Sequence, residues 1–271
     1  MANSAAPRFA VIIPARFESS RFPGKPLAKL HGSTGAAKPL IQRSWEAAVA
    51  ACDKDQVWVA TDDERIADEV CGFGGQVVMT SSECRNGTER CAEAAVQIAD
   101  CPDVVVNFQG DAPLTPAALI GQLAAALAED PYAAMTTPAL QCSPSTYAHL
   151  EADSAAGRVG GTTVIFNRLN QALYFSKRVL PYIPPETPFP AGHVHLHLGI
   201  YAYRREDLAR YAAASPSTLE SLEGLEQLRF LAEGQVVKIV PVDPVGWDCI
   251  ELNNPSDVAP IEEILRQRGI E

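Results

Sequence analysis

Four short apolar runs in the first half of the chain, at residues 9–13, 56–60, 76–79 and 103–108, constrain the fold more than any other feature. Each is dominated by Val, Ile, Ala or another apolar residue and shows little alternation with polar ones, the pattern of a strand buried on both faces. Stretches of helical period lie between and after them, at 39–51, 64–72, 89–99 and 116–128, and a fifth apolar run follows at 133–139. Strands alternating with helices predict an α/β fold, with a mixed, mostly parallel sheet covered by helices on both faces.

From about residue 140 the rhythm changes. Ser143-Pro144, Gly157, Gly160-Gly161 and the proline-rich 181–190 interrupt it. Strands are expected at 162–166, 195–203 and 236–242, and helices at 205–213, 219–231 and 256–268. No internal repeat is visible. The reading is one domain over 1–271, with a dimerisation or lid insertion at about 140–215. Segment 181–192 is expected to be a flexible loop, because its prolines and glycine oppose regular structure.

In such sheets, ligands sit beyond the carboxyl ends of the strands. Three polar clusters fall there: residues 16–25 after the first run, Thr61-Asp62 after the second and Gln109-Gly110-Asp111 after the fourth. The first carries Arg16, Arg21 and Lys25 in a Pro- and Gly-rich turn, although the chain has a formal net charge of -11. That overall charge argues against a nucleic-acid partner. It makes a local cationic turn informative, and the turn suits a nucleoside triphosphate. Neither the GxxxxGK[ST] phosphate loop nor a GxGxxG dinucleotide turn is present, so an ordinary NAD-type enzyme is not expected.

Asp111 closes a strand where bound phosphates would lie, the setting Mg²⁺ needs, though it also suits a turn or cap before Pro113. Thr61, Asp62, Thr88 and Arg90 could meet a base or ribose; equally, Asp62 or Asp63 could cap the helix at 64 and Thr88 the next one. His193, His195 and His197 alternate, so on a strand they share a face. Their spacing of ~7 Å along one strand is a poor match to zinc, and one functional histidine is preferred. Glu226 and Gln227 lie on a helical stretch with Glu220 and Glu223, which read alone is an acidic solvated face or part of a site. Seven cysteines without a CxxC pair read as reduced, buried thiols. The opening MANSAAPRF has no apolar core of the signal-peptide kind and no run approaches membrane-spanning length, so a cytoplasmic protein without membrane contact is expected.

Taken together, IIPARFESSRFPGKPL, VWVATDD, NGTERCAE, VVNFQGDAP, ALYFSK, HLGIYAYR and LEGLEQLRFL resemble the 3-deoxy-manno-octulosonate (Kdo) cytidylyltransferase family, in matching order over nearly the whole chain. The resemblance implies a Rossmann-like nucleotidyltransferase sheet, a homodimer, Mg²⁺, and transfer of CMP from CTP to a small acidic acceptor with release of pyrophosphate. It implies that Arg16, Ser20, Arg21 and Lys25 hold the triphosphate, and that Thr61, Asp62, Thr88 and Arg90 contact cytidine. Arg16, Lys25 and Asp111 would be catalytic. Gln109, Lys177, Arg178, His197, Tyr201, Glu226 and Gln227 would meet the acceptor, and Asp111 and Asn253 the metal.

Four departures from the family pattern stand out. Asn253 replaces a carboxylate in the stretch 252–257, and Ala112 replaces a Glu after Asp111. Lys177 stands where an Arg is usual, with Arg178 adjacent, and 33–37 is an insertion. The loss of two acidic side chains leaves room for a smaller, more anionic acceptor such as the phosphonate phosphonoformate. A homologue that binds nucleotide without catalysis is a further alternative.

Overall fold

A computed structural model describes residues 7–19, 21–184, 187 and 192–271. Ser20 and most of 185–191 lie outside them, so the reading of Ser20 and much of the loop expected at 181–192 are not addressed by the structure.

The first half is built as its apolar runs require. Strands β1 (Phe9–Ala15), β4 (Val57–Thr61), β5 (Gln76–Met79) and β6 (Val104–Phe108) are all parallel, in the order β5-β4-β1-β6. Between β1 and β4 lie a short hairpin, β2 (Lys29–His31) with β3 (Ala37–Pro39), and helix α1 (Leu40–Val49). Helices α2 (Glu64–Gly72), α3 (Gly87–Gln97) and α4 (Ala118–Glu129) make the remaining crossovers. Val11, Ile13, Val57, Val59, Val104 and Val106 pack on one side of the sheet with α1, α2 and α4; Ala10, Ile12, Ala60 and Val105 pack on the other with α3. Burial on both sides explains why these strands do not alternate.

Beyond β6 the sheet becomes mixed. β7 (Ala133–Gln141), β8 (Thr163–Phe166), β9 (Ala172–Ser176), β10 (His195–His197), β11 (Ile200–Arg204) and β12 (Val236–Val242) complete ten strands among the described residues. β11 runs antiparallel between β6 and β7, while β12 runs parallel along the other side of β7. Antiparallel β11 therefore begins where β6 ends, bringing its first residues to the edge where the loops after β1 and β6 emerge.

Two expected elements are split. The strand expected at 195–203 breaks at Leu198-Gly199: β10 pairs with the far half of β7 and with β8, and β11 with the near half of β7 and with β6. The helix expected at 219–231 becomes α7 (Thr218–Glu223) and α8 (Leu228–Ala232), divided where Gly224 adopts φ 61° and terminates α7. Helices α5 (Pro144–Ala155), α6 (Arg205–Ala213) and α9 (Val258–Gln267) complete the chain. Region 140–215 supplies α5, β8–β11 and α6; its outermost strand, β9, ends the sheet. The inserted turn 33–37 is met by Glu271, whose carboxylate accepts from the Ser33 and Thr34 side chains. No helix among the described residues is long and apolar enough to cross a membrane.

Candidate active site

The cationic loop after β1 closes on itself. Gly24, at φ 69°, donates its N–H to the Phe17 carbonyl at 2.9 Å. A Cβ at Gly24 would stand 3.1 Å from the Phe17 ring, so left-handed backbone and close packing both call for glycine. The Arg65 guanidinium of α2 lies 3.3 Å over that ring and pins the loop to the sheet. A single 3-10 turn, Lys25–Leu27, follows and carries Lys25 inward.

The loop after β6 comes as close as backbone permits. A Cβ at Gly110 would lie 2.8 Å from the Pro14 carbonyl oxygen. The two strand-end loops thus meet, and Lys25 Nζ reaches Asp111 Oδ2 at 2.6 Å. The segment before α9 joins them: Leu252 donates its N–H to the Asp111 carbonyl at 2.8 Å, and Trp247 Nε1 donates to the Leu114 carbonyl at 3.0 Å. Beside this seam, Arg21 donates to Asn253 Oδ1 at 3.0 Å, and Asn253 Nδ2 donates to Glu251 Oε2 at 3.3 Å. Enclosure and the neighbouring Asp111 carboxylate push the Glu251 carboxyl well above the usual range. Arg16 and Arg21 are exposed.

A second group forms where β4 ends. Arg90, 3% exposed, donates to Asp62 Oδ2 at 3.0 Å and to Thr80 Oγ1 at 2.5 Å. Thr61 is fully buried. Asp62 Oδ1 is buried and has no hydrogen-bond partner among the described residues. The cap of α2 is Asp63, which accepts from the Arg65 N–H at 2.9 Å, and the cap of α3 is Asn86, which accepts from the Glu89 N–H at 2.8 Å. Capping therefore falls to their neighbours, leaving neither Asp62 nor Thr88 tied to a helix start.

The third group is aromatic and lies under the start of β11. Tyr201 is in register with Asn107 of β6, and its hydroxyl donates to Gln227 Oε1 at 3.4 Å. Thr88 donates its N–H to Glu226 Oε2 at 3.2 Å and shares a 2.9 Å hydrogen bond with the Tyr203 hydroxyl. Burial raises the Glu226 carboxyl and the Tyr201 and Tyr203 phenols. His197 Nε2 lies 2.9 Å from Thr137 Oγ1, its ring is edge-on to Phe175, and burial lowers its pKa to about 3. It is therefore a neutral imidazole. The described residues contain no cluster of three or more His, Cys, Asp or Glu side chains that could hold a metal ion. Gln109, whose amide donates to Asn107 Oδ1 at 3.3 Å, lies between Gly87 and Gly199. Lys177 reaches over the end of α7, its Nζ 2.9 Å from where a Cβ at Gly224 would stand; the Arg178 side chain is exposed.

Three polar residues of this region escaped the sequence reading. Asn107 and Gln227 each bury an amide nitrogen that lacks a partner among the described residues; the family resemblance points to Gln227 but not to Asn107. A polar residue inside the run Val104–Phe108 was the available signal. Glu251 was also missed, although it stands two residues before Asn253, where alternation can bring both side chains to one side. Arg229, 1% exposed, holds Glu220 at 2.5 Å and Glu89 at 3.0 Å, and its guanidinium stacks on Tyr211. This triad ties α3 to α7 and α8 behind Glu226.

A family model described as "Cytidylyltransferase" matches residues 10–239. The chain is 43% identical to 3-deoxy-manno-octulosonate cytidylyltransferase of Maricaulis maris, over 95% of this chain and 97% of that one. It is 40% identical to the mitochondrial 3-deoxy-manno-octulosonate cytidylyltransferase of Arabidopsis thaliana, over 96% and 83% of the two chains. Among solved structures, CMP:2-keto-3-deoxy-manno-octonic acid synthetase complexed with CTP superposes with a TM-score of 0.80 at 31% identity, covering 96% of this chain and 99% of that one. This chain is a nucleotidyltransferase belonging to the 3-deoxy-manno-octulosonate cytidylyltransferase family.

Proposed function

We propose that this enzyme transfers CMP from CTP to a Kdo-like 3-deoxy-ulosonic acid and releases pyrophosphate. The observation that carries the reading is the meeting of Lys25 with Asp111, from two strand-end loops, with Arg21 bound to Asn253 beside them. A phosphate chain needs the cations, and Mg²⁺ needs hard anionic oxygen. The Asp111 carboxylate fits that ion, with Asn253 beside it. Magnesium held there would supply charge neutralisation for the transfer.

The roles of the protein groups follow from their chemistry. Arg16, Arg21 and Lys25 hold the β- and γ-phosphates and stabilise the pyrophosphate as it leaves. An acceptor oxygen attacks the α-phosphorus in line, so the protein's main task is to fix positions and charge. The unpartnered Asp62 Oδ1 is a buried acceptor suited to the cytosine amino group, and Arg90 holds it in place. The unpartnered Asn107 and Gln227 amides offer donors to an oxygen-rich acceptor, and the Tyr201 hydroxyl, donating to Gln227 Oε1, orients the second of them. Lys177 and Arg178 offer charge to its carboxylate. Exposed Leu173 on edge strand β9, within the arm at 140–215, supports a homodimer formed through that arm, and exposed Leu222 on α7 lies just outside it.

A second reading keeps the chemistry and changes the acceptor to a phosphonate such as phosphonoformate. Asn253 and Ala112 favour it, since each removes a carboxylate that would repel a small polyanion. One experiment separates the two: purified protein, CTP and Mg²⁺ with each acceptor in turn, following pyrophosphate. Turnover with Kdo and none with phosphonoformate supports the first reading, and the reverse supports the second. No turnover with either, together with tight CTP binding, would favour a nucleotide-binding homologue without catalysis.

A further inference from the structure

One carboxylate at this edge of the sheet has no part in the reading above. Glu251 Oε1 lies 3.2 Å from where a Cβ at Gly199 would stand, and the same Cβ position is 3.6 Å from Gln109 Cγ. Its other oxygen accepts from Asn253 Nδ2 at 3.3 Å. Leu252, between the two, is fully buried with Leu114, Ile261 and Leu265 and is hydrogen-bonded to the Asp111 carbonyl. Glu251 is thus locked beside Asp111, and the charged groups that act on it are Asp111, Lys25 and Arg21.

The neighbouring polar groups are committed elsewhere. Asp257 Oδ2 accepts the backbone N–H groups of Asn253 and Asn254 at 2.9 and 2.7 Å. Asn253 is engaged at both ends, its oxygen by Arg21 and its nitrogen by Glu251. An amide is the group that can accept from a guanidinium and donate to a carboxylate at once. An aspartate there would set two carboxylates side by side.

We propose that Glu251 is the second acidic ligand for magnesium, acting with Asp111, and that Asn253 is a positioning residue that holds the Glu251 carboxylate in place. This rests on the proposed reading that Asp111 carries the metal. Two hard carboxylates fit Mg²⁺. They also return to the site the charge that Asn253 lacks, so a Kdo-like acceptor needs no extra negative charge of its own.

The test is calorimetric and needs no turnover: the Kd of CTP for the full chain, with and without saturating Mg²⁺ and with no acceptor. The ratio of the two measures the metal's coupling to CTP. E251Q is expected to lower that ratio at least ~10-fold, the scale for losing one group of a metal site. Metal-free CTP binding should stay within about twofold of the parent, or tighten, because a nearby negative charge has gone. N253A should lose only about threefold, and N253D in the E251Q background should recover most of the coupling by returning a carboxylate two residues on. A parent-like ratio in E251Q, with the ratio lost in D111N, would overturn the assignment of Glu251 while sparing that of Asp111. N253A falling as far as E251Q, with no recovery in the double variant, would make Asn253 the ligand and also overturn it. A parent whose CTP affinity ignores Mg²⁺ would remove the metal reading and this inference together. Should E251Q lose metal-free CTP binding through misfolding, N253A decides: a ratio about threefold below the parent supports the proposal, while a parent-like ratio or a fall of ~10-fold or more overturns it.

Discussion

Lys25 Nζ and Asp111 Oδ2 lie 2.6 Å apart across 86 residues of sequence. On the proposed reading, the phosphate-binding cation and the metal-binding carboxylate neutralise each other until nucleotide and metal take one each. Their side chains are only 15% and 25% exposed, so removing one partner strands a partly buried charge and costs about 1–3 kcal/mol. Lys25→Ala and Asp111→Asn should therefore each lower kcat/KM by at least ~10²-fold, the scale for losing one strong electrostatic contact. Each variant should still fold, with a melting temperature lowered by roughly 2–10 °C. Pyrophosphate release beside thermal melts checks both. A stable variant with near-parent turnover would put the chemistry elsewhere.

Asp62 offers a test at the base end. One of its oxygens pairs with Arg90, and the other is buried without a partner among the described residues. If that oxygen receives the cytosine amino group, Asp62→Asn can turn a donor toward the base in its place, which suits the carbonyl of uracil. The ratio of kcat/KM for CTP over UTP should fall by about 10-fold or more, the range for mispairing one buried hydrogen bond. Parallel assays with the two nucleotides measure it, and an unchanged ratio would remove Asp62 from base selection.

The four parallel strands were legible because they are buried on both faces, and only continuous Val, Ile and Ala runs satisfy that. The three-residue strands of the β2–β3 hairpin show no period to read. β9 carries exposed Leu173 at the sheet edge, so its pattern misleads. Strand 195–203 and helix 219–231 each read as one element because apolar period continues across Gly199 and Gly224; tertiary pairing breaks the first and a left-handed backbone the second. At the site, Arg21, Lys25 and Asp111 stood out as charge beside apolar strands. Glu251 and Arg229 did not, since their roles come from contacts with residues far along the chain, such as Arg229 with Glu89, 140 positions away. Asn107 hid inside a strand, where one polar residue is easily absorbed into the core count.

Arg229 predicts a large effect of a purely structural kind. It is 1% exposed and is the shared partner of Glu220 and Glu89. Burial alone would lower its pKa, yet the two carboxylates raise it, so it remains charged. Removing the cation leaves two mostly buried carboxylates facing each other. Arg229→Ala should cost about 3–5 kcal/mol of unfolding free energy, the range for breaking a buried ion pair. Urea denaturation gives the number. A loss below about 1 kcal/mol would mean that water reaches the triad and screens it as it does a surface pair.

His197 sets part of the acid sensitivity. In the folded protein its pKa is lowered to about 3 by burial, with Thr137 as its ring partner. In the unfolded chain an imidazole titrates near ~6.5. Below that pH the unfolded state takes up a proton that the folded state refuses, so stability falls as pH falls, by about 1.4 kcal/mol per unit, until the folded pKa is reached. Above ~7 both states hold a neutral ring and the contribution is flat. His197→Gln, which keeps a polar nitrogen near Thr137 but cannot titrate, should lose stability less steeply between pH 6 and 4, by about one proton's worth of slope. The carboxylates titrate equally in both proteins and cancel in the comparison. Urea unfolding at pH 7, 6, 5 and 4 gives the two slopes; parallel lines would mean that the ring already accepts a proton in the folded state.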